Sequence, residues 1–179
     1  MTAFRKLSFV ASFVACLAIP SGARAHATVS EAEDATAALR TADPSIKKFF
    51  EHSFGYAVFP SVAKGGLVVG GAGGTGIVFE KGVAVGKTTL SQISIGAQVG
   101  GQAYYEIIFF ETASALAAFK KGEWTMAAQV SAVALSSGAS ANADYKGGVA
   151  VFTLSKGGAM AEASVGGQKF SYEAMGGTT

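Results

Sequence analysis

The chain has 179 residues, with 14 Lys+Arg against 12 Asp+Glu. Arg5, Lys6 and Arg24 lie in an N-terminal segment expected to be cleaved off, which leaves 11 bases against the same 12 acids, a net charge of −1. That balance excludes nucleic-acid binding through the charge of the whole domain, so an anionic partner has to be held by a local patch.

Arg5 and Lys6 precede an apolar run, Leu7 to Ile19, of secretory length and too short for a comfortable membrane span. Pro20 breaks the run, and Ala23-Arg24-Ala25 has the small-x-small pattern of a cleavage site. The expectation is a signal peptide over 1–25, with His26 as the first mature residue and a periplasmic or secreted product. A retained N-terminal anchor is one alternative. Lipidation at Cys16 is another, although Phe13 stands where a lipobox usually has Leu. Cys16 is the one cysteine, so cleavage leaves no disulfide, and 154 residues must bury a sufficient core as a single domain.

Ser30-x-x-Glu33 has the form of a capping box. It predicts a helix to about Leu39, with Val29, Ala32, Ala35, Leu39 and Ala42 on one side. Asp43-Pro44 signals a second start, Asp as N-cap and Pro at the first helical position. The helix that follows carries Ile46, Phe49 and Phe50, and Gly55 closes it.

From Gly55 the apolar period changes to two. Leu67, Val69, Ile77 and Phe79 share one parity. Ile93, Ile95, Ala97 and Val99 alternate with Ser94, Gly96, Gln98 and Gly100, as in a half-buried strand. Tyr104 to Phe110 is continuously apolar apart from Glu106, which predicts a central strand. A helix is expected over Thr112 to Lys121, with Gly122 as its C-cap. Val149, Val151 and Thr153 begin another strand, followed by a turn at Lys156-Gly157-Gly158. Ala159, Ala161, Ala163 and Val165 lead to a turn at Gly166-Gly167, and Phe170 and Tyr172 end the last strand. Glycine pairs inside long strands permit sharp coiling. The predicted class is α+β: a strongly curved antiparallel sheet, barrel-like or a sandwich, with N-terminal helices over 29–54, a β-rich part over 55–175 and one internal helix. An outer-membrane barrel fits the alternation but not the helices, nor an end at Gly176-Gly177-Thr178-Thr179 that has no aromatic residue.

Motifs that imitate chemistry fail on context. Gly71 to Gly76 matches GxGxxG, but Ile77-Val78-Phe79 reads as a strand where a dinucleotide site needs a helix. Gly82 to Thr88 is one residue short of a P-loop. An N-terminal His26 invites a copper brace, yet His52 is the one other histidine and has no supporting ligand pattern. Without cysteine, two isolated histidines are too few for zinc unless acids are recruited. No catalytic residue, metal or cofactor is nominated. Glu106, within an apolar strand, is expected at a strand edge or in a salt bridge, with a catalytic acid as the alternative.

The order and spacing of several pieces resemble the SYLF domain family from about Asp43 to Tyr172. They are the Asp43-Pro44 helix followed by Gly55-Tyr56-Ala57-Val58-Phe59-Pro60; Lys64-Gly65-Gly66 with Val69-Gly70-Gly71; Gly74-Thr75-Gly76-Ile77-Val78; Gly96-Ala97-Gln98-Val99-Gly100-Gly101-Gln102; the helix with Phe119; and Ser155-Lys156-Gly157-Gly158. The resemblance implies one SYLF-like domain over 26–179. Eukaryotic SYLF proteins are trafficking and actin-patch adaptors that bind phosphoinositides, and bacterial relatives are exported lipid-binding proteins. It therefore implies a non-enzymatic domain that binds anionic phospholipid or a membrane surface, and it carries over no defined residue set.

From the residues themselves, Lys47 and Lys48 beside Phe49 and Phe50 make a surface suited to anionic headgroups, each lysine contributing about 1 kcal/mol. The alternative, favoured for Phe49 and Phe50, is that these rings are core and the lysines merely solvated. Lys64 and Lys156, each before a Gly-Gly pair, and Lys120 and Lys121 at a helix end are further headgroup candidates. A structural or protein-interaction module of the envelope is the rival reading.

Overall fold

The computed structural model describes residues 26–66, 69–95, 101–122, 125–126, 131–157 and 165–176. The expected signal peptide, Leu67, the run 96–100 and the alternation over 159–163 lie outside the described residues.

Helix α1 spans Val29–Ala42. Its capping box is Thr28 with Glu31, not Ser30 with Glu33: the Thr28 hydroxyl accepts from Glu31 N, and the Glu31 carboxylate accepts from Thr28 N at 2.8 Å. The helix starts two residues before the sequence motif suggested, and Ala32, Ala35 and Leu39 lie on its buried side as expected. Asp43 caps as expected, but what it starts is a 3-10 turn, Pro44–Ile46, before helix α2 at Lys47–His52. Strands follow: β1 Gly55–Gly66, β2 Val69–Glu80, β3 Val83–Ile95 and β4 Gln102–Phe110. Helix α3, Ala113–Lys120, is capped by the Thr112 hydroxyl, and Gly122 closes it at φ 74°. Strands β5 Val133–Ala134, β6 Val149–Ser155 and β7 Lys169–Ala174 complete the chain.

The strands form a seven-stranded sheet in the order β5-β6-β4-β1-β2-β3-β7. Neighbours are antiparallel except the short parallel pair β5–β6, so the sheet is mixed. Among the described residues it is not closed; β5 and β7 are its edges. It is nevertheless strongly curled. Phe59 on β1 and Phe170 on β7 have ring centroids 5.8 Å apart, although three strand spacings, about 14 Å in a flat sheet, separate their strands.

Both faces are buried over much of their area. The helix-bearing face packs Leu39, Ile46 and Phe49 on Val58, Ile77, Phe109 and Phe152. Phe49 meets Phe152 at 4.7 Å and Phe109 at 5.5 Å, while Phe50 stacks edge-on against Phe109 with Arg40 over its ring. Phe49 is core, which removes the reading in which it enters a membrane interface, and Phe50 is half-buried against Phe109 and Tyr56. The concave face packs Phe59, Val62, Tyr104, Ile108 and Phe110 against Leu116 and Phe119 of α3 and Phe170 of β7.

Two glycines show why the sheet can coil so tightly. β1 shifts register between Val58 and Ser61, at Pro60, which cannot donate to the ladder. Opposite, a Cβ on Gly76 would stand 2.5 Å from Val58 O and 2.8 Å from a Phe59 ring carbon. On β3, a Cβ on Gly86 would lie 2.2 Å from the Tyr172 ring that crosses it. Among the described residues no helix is long and apolar enough to cross a membrane.

Candidate functional site

The helices cover only one end of their face. α1 begins where Ala27 N donates to the Thr75 hydroxyl at 2.9 Å. Beyond that level the strands continue without a described helix over them, and their registers define successive rows. Lys156 N donates to Ala103 O at 3.0 Å; Ala103 pairs with Ala63, Ala63 with Gly73, Gly73 with Ser91 and Ser91 with Lys169. One row nearer the strand tips, Gln102, Lys64, Ala72 and Gln92 are paired in sequence across the sheet. The next row holds Gly65, Gly71 and Ile93.

This end of the sheet is a glycine-rich rim with an apolar tip and a collar of cations. Ile93 is 84% exposed. The alternation that predicted burial for Ile93 fails because no described element covers this part of the face. Rows are spaced about 3.3 Å along a strand. Lys64 therefore stands about one row behind Ile93, and Lys156 and Lys169 about two rows behind. Lys156 is steadied by the Tyr105 ring, with Nζ 4.5 Å from its centroid. The acid at the margin is Glu31, whose carboxyl is held below its ordinary range by bonds from the Thr28 backbone and hydroxyl, with Lys156 adding a smaller pull. Glu31 also borders a shallow cavity of about 280 Å³ between the start of α1 and the sheet, beside His26, Ser61 and Thr75.

The six lysines nominated from sequence do not converge. Lys64 and Lys156 belong to the rim. Lys47 and Lys48 lie on α2, at the opposite end of the sheet. Lys47 pairs with Glu51 at 3.3 Å, and Lys48 Nζ donates to Ala141 O at 2.8 Å and Ala143 O at 3.0 Å, holding the loop before β6. Lys120 is ion-paired with Glu80, and Lys121 caps α3 on the concave side. Lys169 was missed by sequence reasoning because nothing local marks it; it joins the rim through the β3–β7 register.

Among the described residues two carboxyls are fully buried. Asp43 accepts from Ser45 N at 3.0 Å, Gly138 N at 3.1 Å and Ser140 N at 2.6 Å. Burial pushes this carboxyl up, and the bonds from Ser140, Ser45 and Gly138 outweigh it, so it stays below its ordinary range. Glu106 contradicts the expectation of a strand edge or a salt bridge: it faces the concave core from an inner strand, and its bond is from Gln168 Nε2, 3.0 Å from Oε2. Burial pushes its carboxyl up to about 8, with the Gln168 bond opposing.

The motifs that imitate nucleotide sites are strands here: Gly71 to Gly76 lies within β2, and β3 begins at Val83 inside the P-loop-like run. Residues 91–174 match the family model described as Ysc84, the Las17-binding protein actin regulator. This chain belongs to the Ysc84 (SYLF) family. It is also 30% identical over 142 residues to Beta cell expansion factor A of Aeromonas veronii, covering 78% of this chain and 53% of that protein. The chain thus spans about half the length of the curated relative it matches. The family description names protein binding and actin regulation, not a reaction.

Proposed function

We propose that this SYLF domain binds anionic phospholipid surfaces, without catalytic turnover, by presenting its glycine-rich rim end-on. The observation that carries the reading is the layering of the rim: exposed Ile93 ahead of the cations, Lys64 about one row behind it, and Lys156 and Lys169 about two rows behind, with the rows of Gly66, Gly70 and Ser94 and of Val69 and Ile95 beyond it. An end-on approach puts the apolar side chain at the headgroup–acyl boundary and the ammonium groups among the phosphates, the depth order an interfacial binder needs. Lys47, Lys48, Lys120 and Lys121 face other directions and do not contribute to this contact. An exported, periplasmic or secreted site of action rests on the segment 1–25 and its cleavage pattern.

Vesicle flotation tests the proposal. The mature protein should float with phosphatidylglycerol-containing vesicles at low salt and stay at the bottom with pure phosphatidylcholine. Absence of flotation with anionic vesicles would sink the lipid reading. The second reading, an envelope or actin-like protein-interaction module, has the family description in its favour. It predicts a stoichiometric protein complex that survives when Lys156 and Lys169 are reversed to Glu.

A further inference from the structure

The concave core contains a polar cluster that lipid binding does not use. Glu106 on β4 faces Thr153, its register partner on β6, and Tyr104 two residues along its own strand. On its other side, β1 places Phe59 in register with it, and the curl brings Gln168 over it. Glu106 Oε1, Tyr104 Oη, Thr153 Oγ1 and Gln168 Oε1 are all buried without a hydrogen-bond partner in the structure. The titratable group facing Glu106 is Tyr104, whose phenol is itself pushed up, first by burial and then by Glu106. α3 presents Leu116 and Phe119 to this core, and its Lys120 is occupied by Glu80 at the surface. Phe170, two residues after Gln168, and Met126, whose N–H donates to Gln168 O, are apolar.

The bond from Gln168 to Glu106 spans the open side of the curl. In sheet order β4 and β7 are separated by β1, β2 and β3, about 19 Å in a flat sheet. Gln168, one residue before β7, closes that distance to 3.0 Å. The segment around it is otherwise held by Met126 N to Gln168 O, Gly167 N to Met126 O and Gln92 Nε2 to Gly166 O.

We propose that Glu106 is a protonation-controlled clasp: as a neutral acid it holds the 165–168 segment over the concave core, and its ionisation releases that segment. On ionisation the proton passes to bulk water, and the carboxylate is left buried away from water with no cation facing it among the described residues. It regains hydration only if the segment lifts and water enters. The released state exposes Phe59, Phe119 and Phe170 along the open side of the sheet.

Hydrogen exchange read by mass spectrometry tests this on the mature protein. Peptides covering 165–176 are followed at pH 6 and pH 9, with labelling times scaled to the intrinsic exchange rate and β1 as internal reference. Protection of 165–176 should fall at least tenfold at pH 9 relative to β1, with about 100-fold as the ceiling that linkage allows. Glu106→Gln, neutral at both pH values, should lose no protection. Equal protection of the wild-type segment at both pH values, or the same loss in Glu106→Gln, would overturn the clasp. If Glu106→Gln does not fold, the infrared spectrum of the wild type decides. A protonated carboxyl band present at pH 6 and gone at pH 9 supports the clasp; its absence at pH 6 refutes it.

Discussion

Reversing the two rim lysines that share a row, Lys156→Glu with Lys169→Glu, is the most direct test of how this domain meets a membrane. The row runs from β6 across β4, β1, β2 and β3 to β7, so the two lysines stand on different strands of the curled sheet. Each lysine acts on the charge of the leaflet rather than on the other lysine, so their effects should add. A lysine near an anionic leaflet contributes about 1 kcal/mol, and replacing it by an acid about doubles the change. The double reversal should therefore weaken binding to phosphatidylglycerol vesicles by about 4 kcal/mol, roughly a thousandfold. The fold should tolerate it: Lys169 is exposed, and Lys156 gives up one exposed contact with Tyr105, worth about 0.5–1 kcal/mol. Binding is read by tryptophan fluorescence or flotation over a lipid titration, with circular dichroism as the check on folding. Lys47→Glu, on α2 at the other end of the sheet, is the matched control and should leave affinity unchanged. A folded double variant that loses less than tenfold, or a Lys47→Glu variant that loses as much, would refute the end-on geometry.

Ile93→Ser should weaken binding to vesicles by about 1.5–3 kcal/mol whatever their charge, because it removes apolar area and no charge; parallel titrations on neutral and anionic vesicles at high lipid check this. Asp43→Asn should destabilise the fold by about 3 kcal/mol in urea, nearly as much as Asp43→Ala, since the amide presents a donor to backbone N–H groups that need an acceptor. The Asp43 carboxyl lies below its ordinary range, so the stability it contributes should be complete above about pH 4 and disappear as pH falls through the lowered value. Glu106 has the opposite sign: its carboxyl sits at about 8 in the fold against about 4.5 in the unfolded chain, so the folded state holds the extra proton between those values. Unfolding free energy should decline by up to about 1.4 kcal/mol per pH unit across that window, and denaturation of Glu106→Gln should lack the slope. Gly76→Ala should cost more than 2 kcal/mol, since its Cβ would meet Val58 O at 2.5 Å and the buried bulge cannot yield cheaply; the thermal midpoint reports it.

Much of the secondary structure was legible because its causes are local. The Asp43-Pro44 start, the Thr112 to Gly122 helix and the run from Tyr104 to Phe110 each contain their own cap, period or apolar length within about ten residues, and the structure has all three. The two-residue error at Ser30 arose between two overlapping capping patterns, Thr28 with Glu31 and Ser30 with Glu33. Burial of Ala32, Ala35 and Leu39 against the sheet chose between them. Curvature was also readable in kind, since paired glycines in strands have few other uses, but an open mixed sheet differs from a closed barrel only by where β5 and β7 end up.

The candidate site was legible in its residue types and not in its membership. Lysines beside glycine pairs drew attention to Lys64 and Lys156, whereas Lys48, followed by two aromatics, looked equally suited to lipid and is instead bonded to carbonyls 93 and 95 residues away. Lys169 reached the rim through pairing with Ser91, and Glu106 met Gln168 across a separation of 62 residues. Local rules specify which residues can form a helix, a strand or a turn, because those preferences act over one or two turns of chain. Register and curl specify which charges share a rim and which acid loses its water. They are settled by packing between strands distant in sequence, so only the tertiary structure decided them.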